Sequence, residues 1–104
     1  MPDDSFEDAT VRKRANVYYD GQVTSREVTT SDGERYTLGL VLPGSYEFET
    51  DAAEEIEVLA GSGSLELPEE TVSFGEGDVV SVPADTAFEF VADDVVDYCC
   101  AYDE

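Results

Sequence analysis

Glu54 is the residue of this 104-residue chain whose type and position first suggest chemistry. It opens the alternation Glu54, Ile56, Val58, Ala60, while Glu55 and Glu57 fall on the other side of a period-2 strand that Gly61 stops. A lone carboxylate on the aliphatic side is the first sign of a pocket. It can accept hydrogen bonds from a ligand or, in the plain structural reading, from backbone N–H groups at a loop. Other reactive groups are few. The chain has no histidine, and its two cysteines, Cys99 and Cys100, are adjacent. On a strand they point to opposite faces, which excludes an ordinary disulfide between them. They read as reduced, buried thiols, and Cys100 as a packed thiol rather than a nucleophile, because nothing near it in sequence lowers its pKa. Without histidines or spaced cysteine pairs, a zinc site lacks ligands.

The strands that must position these groups follow from alternation and turn chemistry. Upstream of Glu54, Tyr46, Phe48 and Thr50 share one side and Glu47 and Glu49 the other, with a polar break at Asp51, Ala52 and Ala53. The two runs read as adjacent antiparallel neighbours sharing an inner wall. Further strands are expected over residues 16–19, 22–28, 35–42, 64–67, 71–74, 79–83, 86–91 and 95–102. Leu38, Leu40 and Leu42 share a face. Asp20-Gly21, Asp32-Gly33, Pro43-Gly44, Gly61-Ser62-Gly63 and Gly75 with Gly77 supply the turns. No stretch has a helical period. Many short strands at close spacing indicate an all-β, single-domain antiparallel sandwich or barrel, narrowed by the glycines and prolines toward a jelly roll. The domain is expected to span residues 16–104, behind a mobile charged leader at 1–15. The leader holds the basic knot Arg12, Lys13, Arg14, read either as a flap for an anionic ligand or as an arm paired with the chain's own acidic surface.

Acidic side chains number 26 against 5 basic ones, for a net charge of -21. The acids alternate with apolar residues, so they coat a folded domain rather than form a disordered tail. Such a surface fits either docking of a basic partner or mimicry of nucleic acid, or else a cytoplasm at very high salt, and the last reading is preferred, with Lys13 the only lysine. At 1 M salt the Debye length falls to roughly 3 Å, which removes most of the self-repulsion. The first thirty residues are polar and no long apolar run follows, so neither a signal peptide nor a membrane span is expected and the chain reads as cytoplasmic.

Two spacings carry a resemblance to the cupin superfamily. Glu54 and Gly61 match the tail of its first motif, and Gly77-Asp78-Val79-Val80-Ser81-Val82-Pro83 matches the glycine-to-proline spacing of its second. The motif histidines would fall near Phe48 and Thr50 and at Phe88, none of which can replace an imidazole, so the resemblance implies a metal-free cupin. At the level of the whole domain the chain resembles the small cupin-like pyrimidine/purine nucleoside phosphorylases. The matching pieces are Gly21 and Val23; Gly33, Arg35 and Gly39; residues 44–50 and 54–61; Val82-Pro83 with Phe88; and Tyr98, Cys100 and Tyr102.

That resemblance implies phosphorolysis of nucleosides to a free base and ribose 1-phosphate, with inorganic phosphate as co-substrate, no cofactor, and a homodimer. Within it, Arg35 is the expected phosphate ligand, since a guanidinium matches phosphate oxygens with a planar fork of donors. Tyr46, Phe48, Phe88 and Tyr98 would wall and stack the base, Glu54 would meet the ribose hydroxyls or the developing positive charge, and Tyr102 would donate a hydrogen bond to base or phosphate. Arg35 reads equally as a surface cation paired with Glu34 or Glu47, and the aromatic set as ordinary core. The alternatives are a non-catalytic, metal-free cupin binding a small ligand and, more weakly, an acidic interaction module.

Overall fold

The computed structural model describes residues 5–103, which form eleven strands and one 3-10 turn at Tyr19–Gly21. The strands are β1 (Thr10–Val11), β2 (Asn16–Tyr18), β3 (Val23–Thr29), β4 (Arg35–Val41), β5 (Gly44–Glu49), β6 (Ala53–Ala60), β7 (Gly63–Glu66), β8 (Thr71–Phe74), β9 (Val79–Val82), β10 (Ala87–Ala92) and β11 (Val96–Asp103). A seven-stranded sheet runs β1-β3-β4-β11-β6-β9, with β2 also paired to β3, and a four-stranded sheet runs β5-β10-β7-β8. All pairings are antiparallel. From β4 onward the chain passes repeatedly from one sheet to the other, which makes a cupin-like jelly roll. The alternation that predicted the strands also builds the core. Val23, Val41, Ile56, Val58, Leu65, Phe74, Phe90 and Val96 are buried between the two inner faces.

One expected pairing is corrected. β5 and β6 are not neighbours: β5 pairs with β10 in the small sheet, and β6 lies between β11 and β9 in the large one. Thr50 supplies the physical reason. It is 2% exposed, and its hydroxyl donates to the Pro83 carbonyl at 2.7 Å while accepting the Thr86 N–H at 3.0 Å. Its own N–H reaches the Thr86 carbonyl at 2.9 Å. The break at 51–53 is therefore pinned to the 83–86 loop and becomes a crossover between sheets, not a hairpin. Thr50→Val keeps the shape of the side chain but leaves the Thr86 N–H without this partner. Thermal or urea unfolding is expected to show a loss of about 1–2 kcal/mol, and an unchanged midpoint would refute the pinning role.

The leucine face points outward. Leu38, Leu40 and Leu42 are 37%, 45% and 40% exposed, whereas Thr37, Gly39 and Val41 face the interior of the sandwich. Within the segment expected to be a leader, Thr10–Val11 form β1 on the edge of β3, and Phe6 sets its ring 4.7 Å from Tyr36. Arg12 pairs with Glu27 at 3.9 Å, in keeping with an arm laid against an acidic surface. Residues 1–4 of that segment lie outside the described residues. Among the described residues no helix is long and apolar enough to cross a membrane.

Candidate active site

The inner faces of the two sheets do not meet everywhere. Between them lies a cavity of about 500 Å³. β11 delivers Tyr98, Cys100 and Tyr102 to it from alternate positions, and β6 delivers Glu54 and Ile56. The opposite wall is aromatic. Phe48 and Phe88 are direct cross-strand partners with ring centroids 6.0 Å apart, and Phe90 stands edge-on to Phe48 at 6.1 Å. Tyr18 and Tyr19, about half exposed, line the cavity from the turn between β2 and β3. Tyr19 and Asp20 hold left-handed backbone, with φ of 52° and 56°, which turns the chain back toward β5. The Tyr19 hydroxyl then donates to the Glu47 carbonyl at 2.5 Å and accepts its N–H at 3.1 Å. That tie joins the turn to the edge of the small sheet.

The polar groups gather at one end. Register places Tyr102 beside Glu54, and Arg35 follows one step beyond the Tyr36–Ala101 pair. The Cys100 thiol donates to Glu54 Oε1 at 3.3 Å, and the Tyr102 and Thr37 hydroxyls share a hydrogen bond of 3.0 Å. Arg35 lies over the Tyr102 ring, 4.4 Å from its centroid, and pairs with Glu27 at 3.5 Å. Burial raises the Glu54 carboxyl above its usual value; the Cys100 hydrogen bond and the Arg35 charge pull it back, while Asp51 adds to the rise. Burial also raises the hydroxyls of Tyr98 and Tyr102 and the thiol of Cys100, so these stay protonated at neutral pH. Glu54 and Tyr102 also border a second pocket, of about 490 Å³, on the rim beside Ser81, Pro83 and Ala101. Glu54 and Tyr102 thus border both the cavity and the rim pocket.

Of the residues singled out from sequence, Glu54, Phe48, Phe88, Tyr98 and Tyr102 come together around the cavity. Arg35 stands behind Tyr102 instead of lining the cavity, and it pairs with Glu27. Tyr46 is not part of the lining. It is 5% exposed, and its hydroxyl donates toward Gln22 Oε1 and the carbonyls of Leu42 and Pro43, so it closes the β4–β5 turn. Sequence reasoning missed Tyr18, Tyr19, Ser25 and Thr37. For the first two a signal existed, since a Tyr-Tyr pair directly precedes the Asp20-Gly21 turn. Thr37 and Ser25 face inward only through the alternation of β4 and β3. Cys99 and Cys100 fall on opposite faces, and burial pushes the Cys99 thiol up to about 11.

With this geometry in place, comparison with known proteins is specific. The family model described as "Pyrimidine/purine nucleoside phosphorylase" matches residues 13–102. A protein of that name from Hydrogenovibrio crunogenus is 52% identical over 99 residues, covering 93% of this chain and 95% of its own. Another from Clostridioides difficile is 48% identical over 99 residues, covering 93% and 94%. Among solved structures, a protein of unknown function from Acinetobacter sp. ADP1 superposes with a TM-score of 0.89 at 34% identity, covering 95% of this chain and 98% of that one. The EutQ protein of Clostridium difficile shares the fold at a TM-score of 0.68 and 15% identity, covering 77% and 67%. The match to the family model and the near-complete overlap with these relatives lead to one conclusion: this chain belongs to the pyrimidine/purine nucleoside phosphorylase family.

Proposed function

We propose that the chain catalyses phosphorolysis of purine and pyrimidine nucleosides, as a pentosyltransferase that needs no metal cofactor. The bond from the sugar anomeric carbon to the base nitrogen breaks, a bond from that carbon to a phosphate oxygen forms, and the base leaves with a proton. The family match over residues 13–102 carries this reading. The geometry supports it in a particular way. A displacement at the anomeric carbon needs base and phosphate on opposite sides of the sugar. The aromatic cavity takes the base, stacked against Phe48 and Phe88, and phosphate enters by the rim pocket, whose hydroxyls are those of Ser81 and Tyr102 and whose carboxylates are those of Glu54 and Glu55. The sugar then lies between them, where the Glu54 carboxylate meets the developing oxocarbenium charge and the Tyr102 hydroxyl donates. Arg35, held on the face of Tyr102, is the proposed source of attraction for phosphate.

The enzyme is further proposed to work as a homodimer in a cytoplasm rich in salt. The surface charge of -21 repels phosphate and loosens the fold in dilute buffer, and screening at molar salt relieves both effects. Ultraviolet assay of adenosine, guanosine, uridine and cytidine with phosphate in molar KCl is expected to show base release that requires phosphate. The same assay in dilute buffer should lose rate together with ellipticity. Arg35→Ala should raise the KM for phosphate about tenfold, the loss of one charge-assisted contact. Release that persists without phosphate would indicate a hydrolase. Nucleoside binding without turnover would leave a binding protein.

A further inference from the structure

The end of the cavity away from Glu54 and Tyr102 carries two hydroxyls that the reaction as described does not use. Tyr98 on β11 and Ser25 on β3 both line the cavity, and each is the register partner of Gly39, on opposite sides of β4. Because Gly39 has no side chain, the phenol end of Tyr98 reaches across β4, and its hydroxyl oxygen lies 2.6 Å from where a Gly39 Cβ would stand. Directly opposed residues on neighbouring strands hold their Cβ atoms about 5 Å apart, so the Tyr98 hydroxyl arrives beside Ser25. Ser25 is 7% exposed, and its oxygen accepts the Asn16 side-chain N–H at 3.3 Å, which leaves the serine proton free to donate. Among the described residues the Tyr98 hydroxyl makes no hydrogen bond, although its ring packs against the core with its centroid 6.4 Å from that of Phe90. A phenol packed in this way ordinarily has a polar partner, and a ligand in the cavity is placed to supply one.

The run of β11 decides which part of a nucleoside arrives there. Tyr98 and Tyr102 are four residues apart on that strand, roughly 13 Å. With the sugar beside Glu54 and Tyr102 and the base against Phe48 and Phe88, the edge of the base farthest from the sugar points toward Tyr98 and Ser25. That edge carries a polar substituent at purine position 6 or pyrimidine position 4. It is an amino group in adenosine and cytidine and a keto oxygen in guanosine and uridine. A hydroxyl both donates and accepts, so two of them meet either substituent by turning their O–H bonds while the wall stays still.

We propose that the Ser25 and Tyr98 hydroxyls bind the substituent on the far edge of the base and thereby set which bases the site holds. The assignment rests on the catalytic reading above for the direction in which the nucleoside lies. Its test compares inosine, which has a 6-keto group, with purine riboside, which has no substituent there. Calorimetric binding without phosphate is measured in molar KCl for the wild type, Tyr98→Phe and Ser25→Ala, alongside phosphorolysis of inosine. The wild type should hold inosine about tenfold more tightly than purine riboside, the scale of one hydrogen bond whose loss leaves buried partners unpaired. Tyr98→Phe keeps the ring over Gly39 and should bring the two ligands to within about twofold by weakening inosine alone. Ser25→Ala should narrow the contrast in the same direction, and the KM for phosphate should hold in both. Each contrast is a ratio within one protein, so any loss of folded fraction cancels from it. Equal affinity of the wild type for the two ligands, binding of neither, or a contrast undiminished in both variants would overturn the proposal. A wild type that keeps the inosine contrast but releases no base with phosphate would remove the catalytic reading and leave the binding assignment standing.

Discussion

Glu54→Gln is expected to lower kcat/KM for phosphorolysis at least a hundredfold, the scale on which a single preorganised electrostatic partner acts in a dry site. The substitution keeps an acceptor for the Cys100 thiol and nearly the same volume, so packing of the wall is preserved and the charge alone is removed. Its pH dependence is diagnostic. Burial holds the Glu54 proton more tightly in the folded protein than in the unfolded chain. The stability this contributes is therefore fully present below the ordinary value of 4.5 and is lost as pH rises through the higher folded value. Activity runs the other way, because the ionised form is the one that meets a cationic sugar. The wild-type rate should fall on acidification along a limb lying above that of an ordinary glutamate. In Glu54→Gln the limb should vanish and the stability loss with rising pH should flatten. A variant with wild-type kcat/KM, or one that keeps the acid limb, would remove Glu54 from the chemistry.

Glu54 was also the residue most legible in the sequence, for the same physical reason. A carboxylate in phase with Ile56 and Val58 has no place on a purely apolar face unless that face borders a pocket or a loop. Tyr98, Cys100 and Tyr102 were legible as a set sharing one side of a strand, as was Phe48 with Tyr46 and Thr50 on another. Period-2 alternation gives the side of a strand but not which strand lies beside it. That is why β5 and β6 looked like neighbours: the break at 51–53 has the composition of a turn, and only the buried hydrogen bonds of Thr50 to the 83–86 loop make it a crossover. The same gap explains Tyr46. It shares a strand face with Phe48, yet two residues further from the cavity its hydroxyl is captured by the carbonyls of Leu42 and Pro43. Alternation is equally silent about polarity at long range. The Thr37–Tyr102 bond joins residues 65 apart in sequence, and nothing local to either predicts it.

Gly39→Val is expected to cost about 3 kcal/mol of stability and to damage the cavity as well. Gly39 faces inward on β4, directly opposite Tyr98 on β11, where any other residue would project a side chain between the sheets. A Cβ there would lie 2.6 Å from Tyr98 Cζ and 2.6 Å from its hydroxyl oxygen, and 2.7 Å from the Thr24 carbonyl oxygen. The phenol end of Tyr98 therefore occupies the space over the glycine, and its position in the cavity wall depends on that missing side chain. Overpacking forces a choice between bending the ladder at Thr24 and pushing the Tyr98 ring into space meant for ligand. Adding Tyr98→Ala to Gly39→Val removes the side-chain part of the clash and leaves the backbone part. The two substitutions should then be strongly non-additive in denaturant midpoint, with the double variant more stable than the sum of the single losses implies. Nucleoside KM should rise in Gly39→Val even under conditions where the fold is intact. An unaltered midpoint and KM in Gly39→Val would mean that the sheet relaxes freely at this point, and that Tyr98 is held in the wall by its aromatic neighbours rather than by the space the glycine leaves.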